Sequence, residues 1–364
     1  MAGDDIRLGK LMFEDVRTGK LREAYRRDLR DIYRFYLTDD QRERVARMGH
    51  FKRFFWVLAW LARNLLLRLA PSRRILLVVA AVLFAFRPQW TWGTHFRFDL
   101  DLSQGAFILV LIVLMLELKD KLLARDEIEV ARQVQLSLLP KSHPSIEGWE
   151  LFSATTPAND VGGDLIDYLD GAGGRTGVAL GDVAGKGMGA ALLCAKLQAT
   201  LRALAPAAAN LEALGASLNG VLERSGLDNR YATLFYAEIS TASSEVVYLN
   251  AGHNPALLVR GNTIESLAAS SLPLGMLPGI AYTQGTATLQ RGDQLILYSD
   301  GITEATNAAG EEYGLPRLQA AVRAAASLPA EAAAREILGA AGRFVEGEKP
   351  HDDQSILILR RTGA

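Results

Sequence analysis

Cysteine is almost absent from this chain of 364 residues. Cys194 is the only one, so no disulfide can form within the chain, and its place in the run AALLCAKLQATL predicts a buried apolar role rather than a reactive thiol. The histidines, at positions 50, 95, 143, 253 and 351, are too scattered for a zinc site of the usual spacing. The lack of disulfides is typical of a reducing compartment.

An overall excess of charge is also missing, since the formal net charge is −1. The balance conceals an asymmetry: residues 1–74 carry 18 Lys/Arg and 10 Asp/Glu, a net charge of +8, and the remaining 290 residues carry −9. The acidic part argues against a nucleic-acid partner, while a basic N-terminal part favours a membrane surface.

No signal peptide is predicted, because the first 50 residues contain no apolar core and resemble charged helix. The order Thr38, Asp39, Asp40, Gln41 predicts a capping box at the start of a further helix. That helix continues through FKRFFWVLAWLARNLLLRLA, whose aromatic, leucine and basic residues are typical of a helix in the membrane interface. A basic helix that covers its own soluble domain is the alternative. Residues 1–74 are therefore expected to form a basic helical region.

No uninterrupted apolar run reaches the ~20 residues of a spanning helix. Ile75–Phe86 and Ala106–Leu116 come close, and both reach that length with their flanks. Arg73 and Arg74 precede the first run, basic residues follow the second, and the loop between them is poor in Lys and Arg. This positive-inside pattern predicts a two-helix transmembrane hairpin over residues 75–118 with both ends in the cytoplasm. A pair of buried helices in a soluble sensor domain is the alternative.

A charged helix with one apolar stripe follows over residues 117–139 and ends at Pro140. It is expected to serve as a linker, residues 119–140, between the membrane region and a globular domain. Leu116, Leu123 and Val130 are seven apart, which permits a homodimer through residues 117–139 without establishing one. Signal transmission along this helix is a hypothesis.

The globular domain is expected to span residues 141–364. From Gly148 onward, short alternating strands and glycine turns are interrupted by helices over 188–205 and 210–224 and by a further pair within 314–346. Strands in antiparallel hairpins with grouped helices favour an α+β fold over a parallel βαβ sheet. The predicted strands are WELFSAT, GVALGDV, YATLFYAEIS, EVVYLNAG, PALLVRG, QLILYSDG and SILILRR.

Four aspartates mark points where an apolar run gives way to glycine or polar residues. They are Asp164 in VGGD, Asp182 in GDVAGKG, Asp300 in YSDG and Asp352 in HDDQS. A carboxylate beside a strand is a hard oxygen ligand at a defined position, and several brought together suit a divalent cation. Each aspartate taken alone is more typical of a turn or a cap.

The glycine-rich segment around Asp182 does not match two familiar phosphate-binding patterns. A P-loop would place its first glycine at Leu180 and a Ser or Thr at Gly187. A dinucleotide fingerprint would need an acidic residue at the end of a second strand ~20 positions later, where this chain reads as helix.

A metal site accounts for the same segment better. Asp182 can bridge two ions, with the backbone carbonyl of Val183 turned toward one of them. Asp300 and Asp352 can complete one ion, and Asp164 can hold waters on the other. With oxygen ligands alone, magnesium or manganese is the expected metal.

Six spaced motifs resemble those of the bacterial metal-dependent protein phosphatases, specifically the stage-II-sporulation-E-type branch of the type-2C superfamily. The resemblance covers about residues 130–361. Its motifs are AxxVQxxLLP, PANDVGGDLIDY, GDVAGKGMGAA, NAGHNPALL, YSDGITEATN and HDDQSIL.

This resemblance implies two antiparallel β-sheets sandwiched between helices, two Mn²⁺ or Mg²⁺ ions, and hydrolysis of phosphoserine or phosphothreonine on a protein. It implies that Asp182 bridges both ions, with the Val183 carbonyl on one and Asp300 and Asp352 on the other, and that Asp164 acts on the first ion through water. Asp164, Asp182 and Asp300 are thus the expected catalytic residues. The family's usual substrates are phosphorylated antagonists of anti-sigma factors.

Three further residues have open roles. Asp353 is expected to support the ligands rather than bind metal. Lys186 could contact phosphate, although a solvated loop lysine is favoured, and His253 could act as a general acid, although a turn histidine bonded to the backbone is favoured. A hydrolase of small phosphoesters or nucleotides and a non-enzymatic membrane scaffold are the rival functions. The expected location is the inner membrane, with the catalytic domain in the cytoplasm.

Overall fold

The computed structural model describes residues 37–85, 89–92, 96–99, 102–140, 142–159, 161–171, 174–224, 230–241, 243–346 and 350–363. The chain divides into two compact units, Met1–Leu122 and Leu123–Ala364. The charged helix predicted before position 37 lies outside the described residues.

In the described part of the first unit, three helices precede the first described strand. They are α1, Asp39–Ala46; α2, His50–Arg68; and α3, Pro71–Ala85. The predicted capping box is confirmed, because Thr38 Oγ1 accepts from the Gln41 amide at 3.4 Å and Gln41 Oε1 accepts from the Thr38 amide at 3.2 Å. The prediction of one continuous helix after the capping box is wrong, because Arg47 is the C-cap of α1 and Gly49 is the N-cap of a separate helix, α2.

Two helices occupy the predicted hairpin, and an unpredicted pair of strands joins them. Strands β1, Gln89–Trp92, and β2, Phe96–Asp99, are antiparallel, and α4 begins at Ser103. No described helix is long and apolar enough to cross a membrane, so the transmembrane hairpin over residues 75–118 is not confirmed. Helix α3 has only 15 residues, and acidic and basic residues enter α4 from Glu117 onward.

The predicted linker is not a separate element. Helix α4 runs without interruption over the 36 residues Ser103–Leu138 and thus joins the second hairpin helix to the linker. It ends two residues before Pro140, because the residue before a proline disfavours helical geometry. The first half of α4 carries Glu117 and Asp120. The guanidinium of Arg73 on α3 pairs with Glu117 at 2.6 Å and also with Asp120.

The described residues of the second unit form two five-stranded sheets in which all neighbouring strands are antiparallel. Their strand orders are β10-β7-β6-β5-β4 and β3-β12-β11-β8-β9. The first sheet contains β4, Leu165–Asp170; β5, Thr176–Val183; β6, Ala232–Ile239; β7, Glu245–Ala251; and β10, Gln284–Thr288. The second contains β3, Trp149–Thr156; β8, Ala256–Arg260; β9, Thr263–Leu267; β11, Gln294–Tyr298; and β12, Gln354–Arg361.

Helices cover the outer face of each sheet. On the first sheet they are α5, Met188–Leu204, and α6, Leu211–Glu223, joined by a short 3₁₀ turn at Ala205–Ala207; on the second they are α8, Gly314–Ala325, and α9, Ala330–Val345. One-turn helix α7, Asp300–Thr303, follows β11. The predicted α+β fold of two antiparallel sheets between helices is confirmed.

Three apolar cores hold these four layers together. One lies between the sheets, and one lies beneath each pair of helices. Along β11, Leu295 and Leu297 face the other sheet, whereas Ile296 and Tyr298 face α8 and α9. Because both faces are buried, residues 295–298 of this strand form a continuous apolar run instead of alternating.

Candidate metal centre

The four aspartates lie at strand ends of the two sheets. Asp182 is the last residue but one of β5, and Asp164 directly precedes β4, the antiparallel neighbour of β5. In the other sheet, Asp300 begins α7 after β11, and Asp352 lies two residues before β12, which pairs with β11. Each sheet therefore contributes two carboxylates from neighbouring strands.

Contacts between the sheets bring the two pairs into one region, because Asp353, next to Asp352, accepts from the Gly163 amide at 2.6 Å and Gly163 lies beside Asp182 Oδ1. Burial, together with the negative charges of Asp300 and Asp352, raises the pKa of Asp182 from 3.8 to about 7. Burial and then the charge of Asp352 raise the pKa of Asp300 as well. Carboxylates with raised pKa values in one place favour a bound proton or a bound cation.

Asp164 is the most deeply buried of the four and is 9% exposed. Burial raises its pKa well above 3.8, the negative charge of Asp182 adds to the effect, and the nearby hydroxyl of Ser355 opposes it. Its Oδ2 has no hydrogen-bond partner. A buried, unpaired carboxylate oxygen is costly, and a cation or a proton would stabilise it.

The backbone carbonyl of Val183 lies close to the carboxylate of Asp182. A Cβ atom built on Gly163 would be 3.0 Å from Asp182 Oδ1 and 3.2 Å from Val183 O. The two oxygens therefore approach one point beside a glycine, and a side chain at that position would fill the space. These hard oxygen donors fit magnesium or manganese in chemical type.

Asp353 supports the loop that leads to Asp164. Its carboxylate accepts from the backbone amide of Ala158 at 2.8 Å and from that of Gly163 at 2.6 Å. Asp353 is 5% exposed, so these bonds fix the loop in a water-poor environment. This arrangement agrees with the supporting role expected for Asp353.

Lys186 does not lie free in solvent. Its ammonium donates to Asp352 Oδ2 at 2.8 Å and to the His351 carbonyl at 2.7 Å. The hydrogen bond with Asp352 raises the pKa of Lys186. Lys186 is a largely exposed loop residue, as predicted, but these two contacts tie its ammonium to the segment before β12.

Gln135 near the end of α4 is a supporting residue that the sequence analysis missed. Its side-chain amide donates to the Gly162 carbonyl at 2.6 Å and accepts from the Gly162 amide at 3.0 Å. The next residue, Gly163, is held by Asp353. One loop is thus fixed by α4 on one side and by the segment before β12 on the other. The only signal in the sequence is the glutamine of the AxxVQxxLLP motif.

The end of α4 has a second attachment. The Leu138 carbonyl accepts from Gln198 Nε2 at 2.9 Å and from Arg202 Nη2 at 3.2 Å, both on α5. Arg202 also binds the buried carboxylate of Asp167 on β4 at 2.7 and 2.8 Å. Bidentate pairing of this kind fixes geometry as well as charge.

His253 and Cys194 are structural. His253 is buried, its Nδ1 lies 2.8 Å from Thr233 Oγ1, and burial lowers its pKa to about 4. It is therefore neutral at pH 7, which contradicts the general-acid hypothesis. Cys194 is buried, and burial raises the pKa of its thiol to about 12, so it is not a nucleophile.

Among the described residues, no three Asp, Glu, His or Cys side chains are arranged as a ready-made metal cage. The donors are present, but Asp352 is held by Lys186 and Asp164 is buried beside Ser355 and Ser299. The chemical types of the donors therefore fit the expected ions, and a cage would require these side chains to move.

Comparisons with known proteins match the second unit. The family model of stage II sporulation protein E matches residues 172–362. Phosphoserine phosphatase RsbU of Bacillus subtilis (strain 168) is 28% identical over 239 residues, which cover 65% of this chain and 70% of RsbU. Phosphoserine phosphatase RsbP of the same organism is 28% identical over 193 residues, 51% of this chain and 47% of RsbP. The chain thus spans less than half of RsbP.

A solved structure confirms the fold independently of sequence. The SiaA-PP2C domain of Pseudomonas aeruginosa superimposes with a TM-score of 0.58 at 18% identity, over 66% of this chain and 98% of that domain. At this identity the similarity establishes the shared fold alone.

Proposed function

Because the chain belongs to the stage II sporulation protein E family, we propose that its second unit hydrolyses phosphoserine or phosphothreonine on a protein. The observation that carries the proposal is that Asp353, next to Asp352, bonds the Gly163 amide at 2.6 Å beside Asp164 and Asp182, which brings aspartates of both sheets together. Phosphatases of this fold depend on metal ions, and a cluster of buried carboxylates is the chemistry that such ions require.

The proposed cofactors are two Mn²⁺ or Mg²⁺ ions. Asp182 would bridge them, with the Val183 carbonyl on one ion and Asp300 and Asp352 on the other. Asp164 would act on the first ion through water, and its unpaired Oδ2 supports a role toward a proton or a cation.

When bound, the ions would supply an activated water and neutralise the charge of the phosphoryl group. The protein's own part is positioning. Asp353 and Gln135 hold the loop before Asp164 through backbone bonds of 2.6–3.0 Å. Burial around Asp164 and Asp182 keeps competing water away from their carboxylates and strengthens their attraction for cations.

The proposed substrate is a phosphorylated antagonist of an anti-sigma factor. Phosphate release by the full chain with Mn²⁺ should be compared on a phosphoserine form of such a protein, on a nucleotide and on a small aryl phosphate. Strong preference for the phosphoprotein is the expected result. Preference for the nucleotide or the aryl phosphate would support the small-phosphoester hydrolase, and no release from any of them would support the scaffold.

We also propose that the first unit holds the protein at the cytoplasmic face of the inner membrane. Helix α2 supports this, because Phe51 is 96% exposed, Phe54 is 74% exposed, and residues 50–68 contain Lys and Arg but no acidic residue. The full chain should float with vesicles that contain anionic lipid, and Phe51→Ser with Phe54→Ser should weaken this. Equal sedimentation with and without vesicles would contradict the proposal.

A homodimer through residues 117–139 is a further proposal. Within this segment Leu123 and Val130 are exposed at 52% and 60%, which supports an apolar contact along one stripe. Sedimentation equilibrium of the full chain should give a dimer mass that Val130→Glu reduces to that of a monomer. A monomer mass for the unmodified chain would contradict it.

A further inference from the structure

Lys186 is the only basic side chain that the described residues place against a predicted metal ligand. It lies between Gly185 and Gly187, whose φ angles of 106° and 76° are readily adopted by glycine alone. These two glycines allow a sharp turn directly after β5. The turn carries the ammonium from the first sheet to the segment before β12 in the second.

The two contacts of the ammonium define where it lies. Nζ is 2.8 Å from Asp352 Oδ2 and 2.7 Å from the His351 carbonyl oxygen. The other oxygen of the same carboxylate, Asp352 Oδ1, accepts from the Asp353 amide at 3.0 Å. Both oxygens of Asp352 are therefore engaged, one of them by a full positive charge.

A divalent cation and this ammonium need the same carboxylate. A cation bound to Asp352 either displaces Lys186 from Oδ2 or shares the carboxylate with it at short range. Displacement breaks the hydrogen bonds of the ammonium, and sharing places two positive charges close together. In both cases the presence of Lys186 weakens binding of the cation.

We propose that Lys186 competes with the metal for Asp352 and so sets a weak affinity for the ion that Asp300 and Asp352 hold. The inference rests on the proposed metal site and adds to it an internal counter-ion. An ion held in this way exchanges readily, and the phosphatase would respond to the concentration of free Mn²⁺ or Mg²⁺ instead of retaining it permanently.

The expected change in Mn²⁺ affinity depends on how far the side chains of Lys186 and Asp352 are exposed to solvent. The side chains of Lys186 and Asp352 are 55% and 38% exposed, so solvent screens their interaction. We therefore expect removal of the ammonium to tighten binding about three- to tenfold, at the lower end of what charge interactions near a protein surface give.

The test is calorimetric titration of Mn²⁺ into the full chain, which reads affinity without reference to activity. Lys186→Met should bind Mn²⁺ about three- to tenfold more tightly than the unmodified protein. Lys186→Arg keeps the charge and should bind as the unmodified protein does. Lys196→Met removes a lysine on α5 whose ammonium donates to the Val221 carbonyl at 3.1 Å, and serves as the matched control.

Unchanged or weaker binding by Lys186→Met would overturn the proposal, and so would equal tightening by Lys186→Arg. Asp182→Asn separates this failure from that of the metal site itself. If Asp182→Asn binds Mn²⁺ like the unmodified protein, the proposed metal site is wrong. If Asp182→Asn loses binding while Lys186→Met is unchanged, only the competition is wrong. Circular dichroism at the titration temperature confirms that each variant is folded.

Discussion

The side chains around the candidate centre divide into oxygens that can bind a cation and groups that hold those oxygens. Asp353 belongs to the second group although it adjoins Asp352 in sequence. Its carboxylate is occupied by two backbone amides that lie 195 and 190 residues away along the chain. A pattern of ligand residues in a sequence does not reveal such a contact, because the contact forms only when the distant loop with Ala158 and Gly163 folds against Asp353.

Asp353→Asn should destabilise the second unit by about 1–3 kcal/mol, because one buried amide loses its charged acceptor. Urea unfolding measures the change. Asp170→Asn, at the exposed end of β4, is the matched control and should be nearly neutral. Equal stability of Asp353→Asn and the unmodified protein would show that the two bonds do not hold the loop.

The buried histidine predicts a pH dependence. Because burial lowers the pKa of His253 to about 4 from 6.5, the unfolded chain takes up a proton below pH 6.5 that the folded chain does not. The stability this provides is present above pH 6.5 and is lost as pH falls toward 4, by roughly 3 kcal/mol in total.

Urea unfolding at pH 7 and pH 5 should therefore show a larger loss for the unmodified protein than for His253→Gln. His143→Gln, which removes an exposed imidazole, is the control. Identical pH dependence of His253→Gln and the unmodified protein would contradict the assignment.

Among the elements of the second unit, the interior strands and all four long helices were predictable, and three edge strands were not. The missed strands β4, β9 and β10 lie at sheet edges. In β9 and β10 only Leu267 and Ala287 are buried, so these strands lack an apolar pattern. Interior strands such as β11 are buried along their whole length, which makes them recognisable.

The end of helix α4 should affect the candidate metal centre through Gln135. Gln135→Ala removes two hydrogen bonds to Gly162, at about 1 kcal/mol each. If this loop positions Asp164, Mn²⁺ affinity should fall about five- to tenfold in calorimetric titration. Gln133→Ala, at an exposed position two residues earlier, is the control. A drop in stability with unchanged Mn²⁺ affinity would give Gln135 a structural role only.

The second unit is a sandwich of two β-sheets between helices. Its candidate metal centre lies where carboxylates from both sheets repel one another. The α+β fold was predictable, since the pattern of strands and helices is a local feature of the sequence, and the role of the four aspartates as metal ligands stays a prediction. The interruption at Gly49 and the continuity of α4 were not predicted. Local propensity permitted several helix boundaries there.

Cation binding should stabilise this unit against heat. At a Mn²⁺ concentration 100 times its Kd, the free energy of unfolding rises by about 2.7 kcal/mol, which corresponds to roughly 5–10 °C for a unit of this size. Differential scanning calorimetry with Mn²⁺ and then with excess EDTA measures the shift. Asp182→Asn should show no shift, and a shift of equal size in that variant would place the bound ion elsewhere.

The most direct test of the central claim is Mn²⁺-dependent phosphate release from a phosphoserine protein by the full chain and three variants. Asp182→Asn and Asp300→Asn should abolish the Mn²⁺-dependent release, because each removes a carboxylate charge from the shared centre. Asp170→Asn should retain it. Unchanged release by both Asp182→Asn and Asp300→Asn would contradict the assignment of these aspartates as the metal centre of a phosphatase.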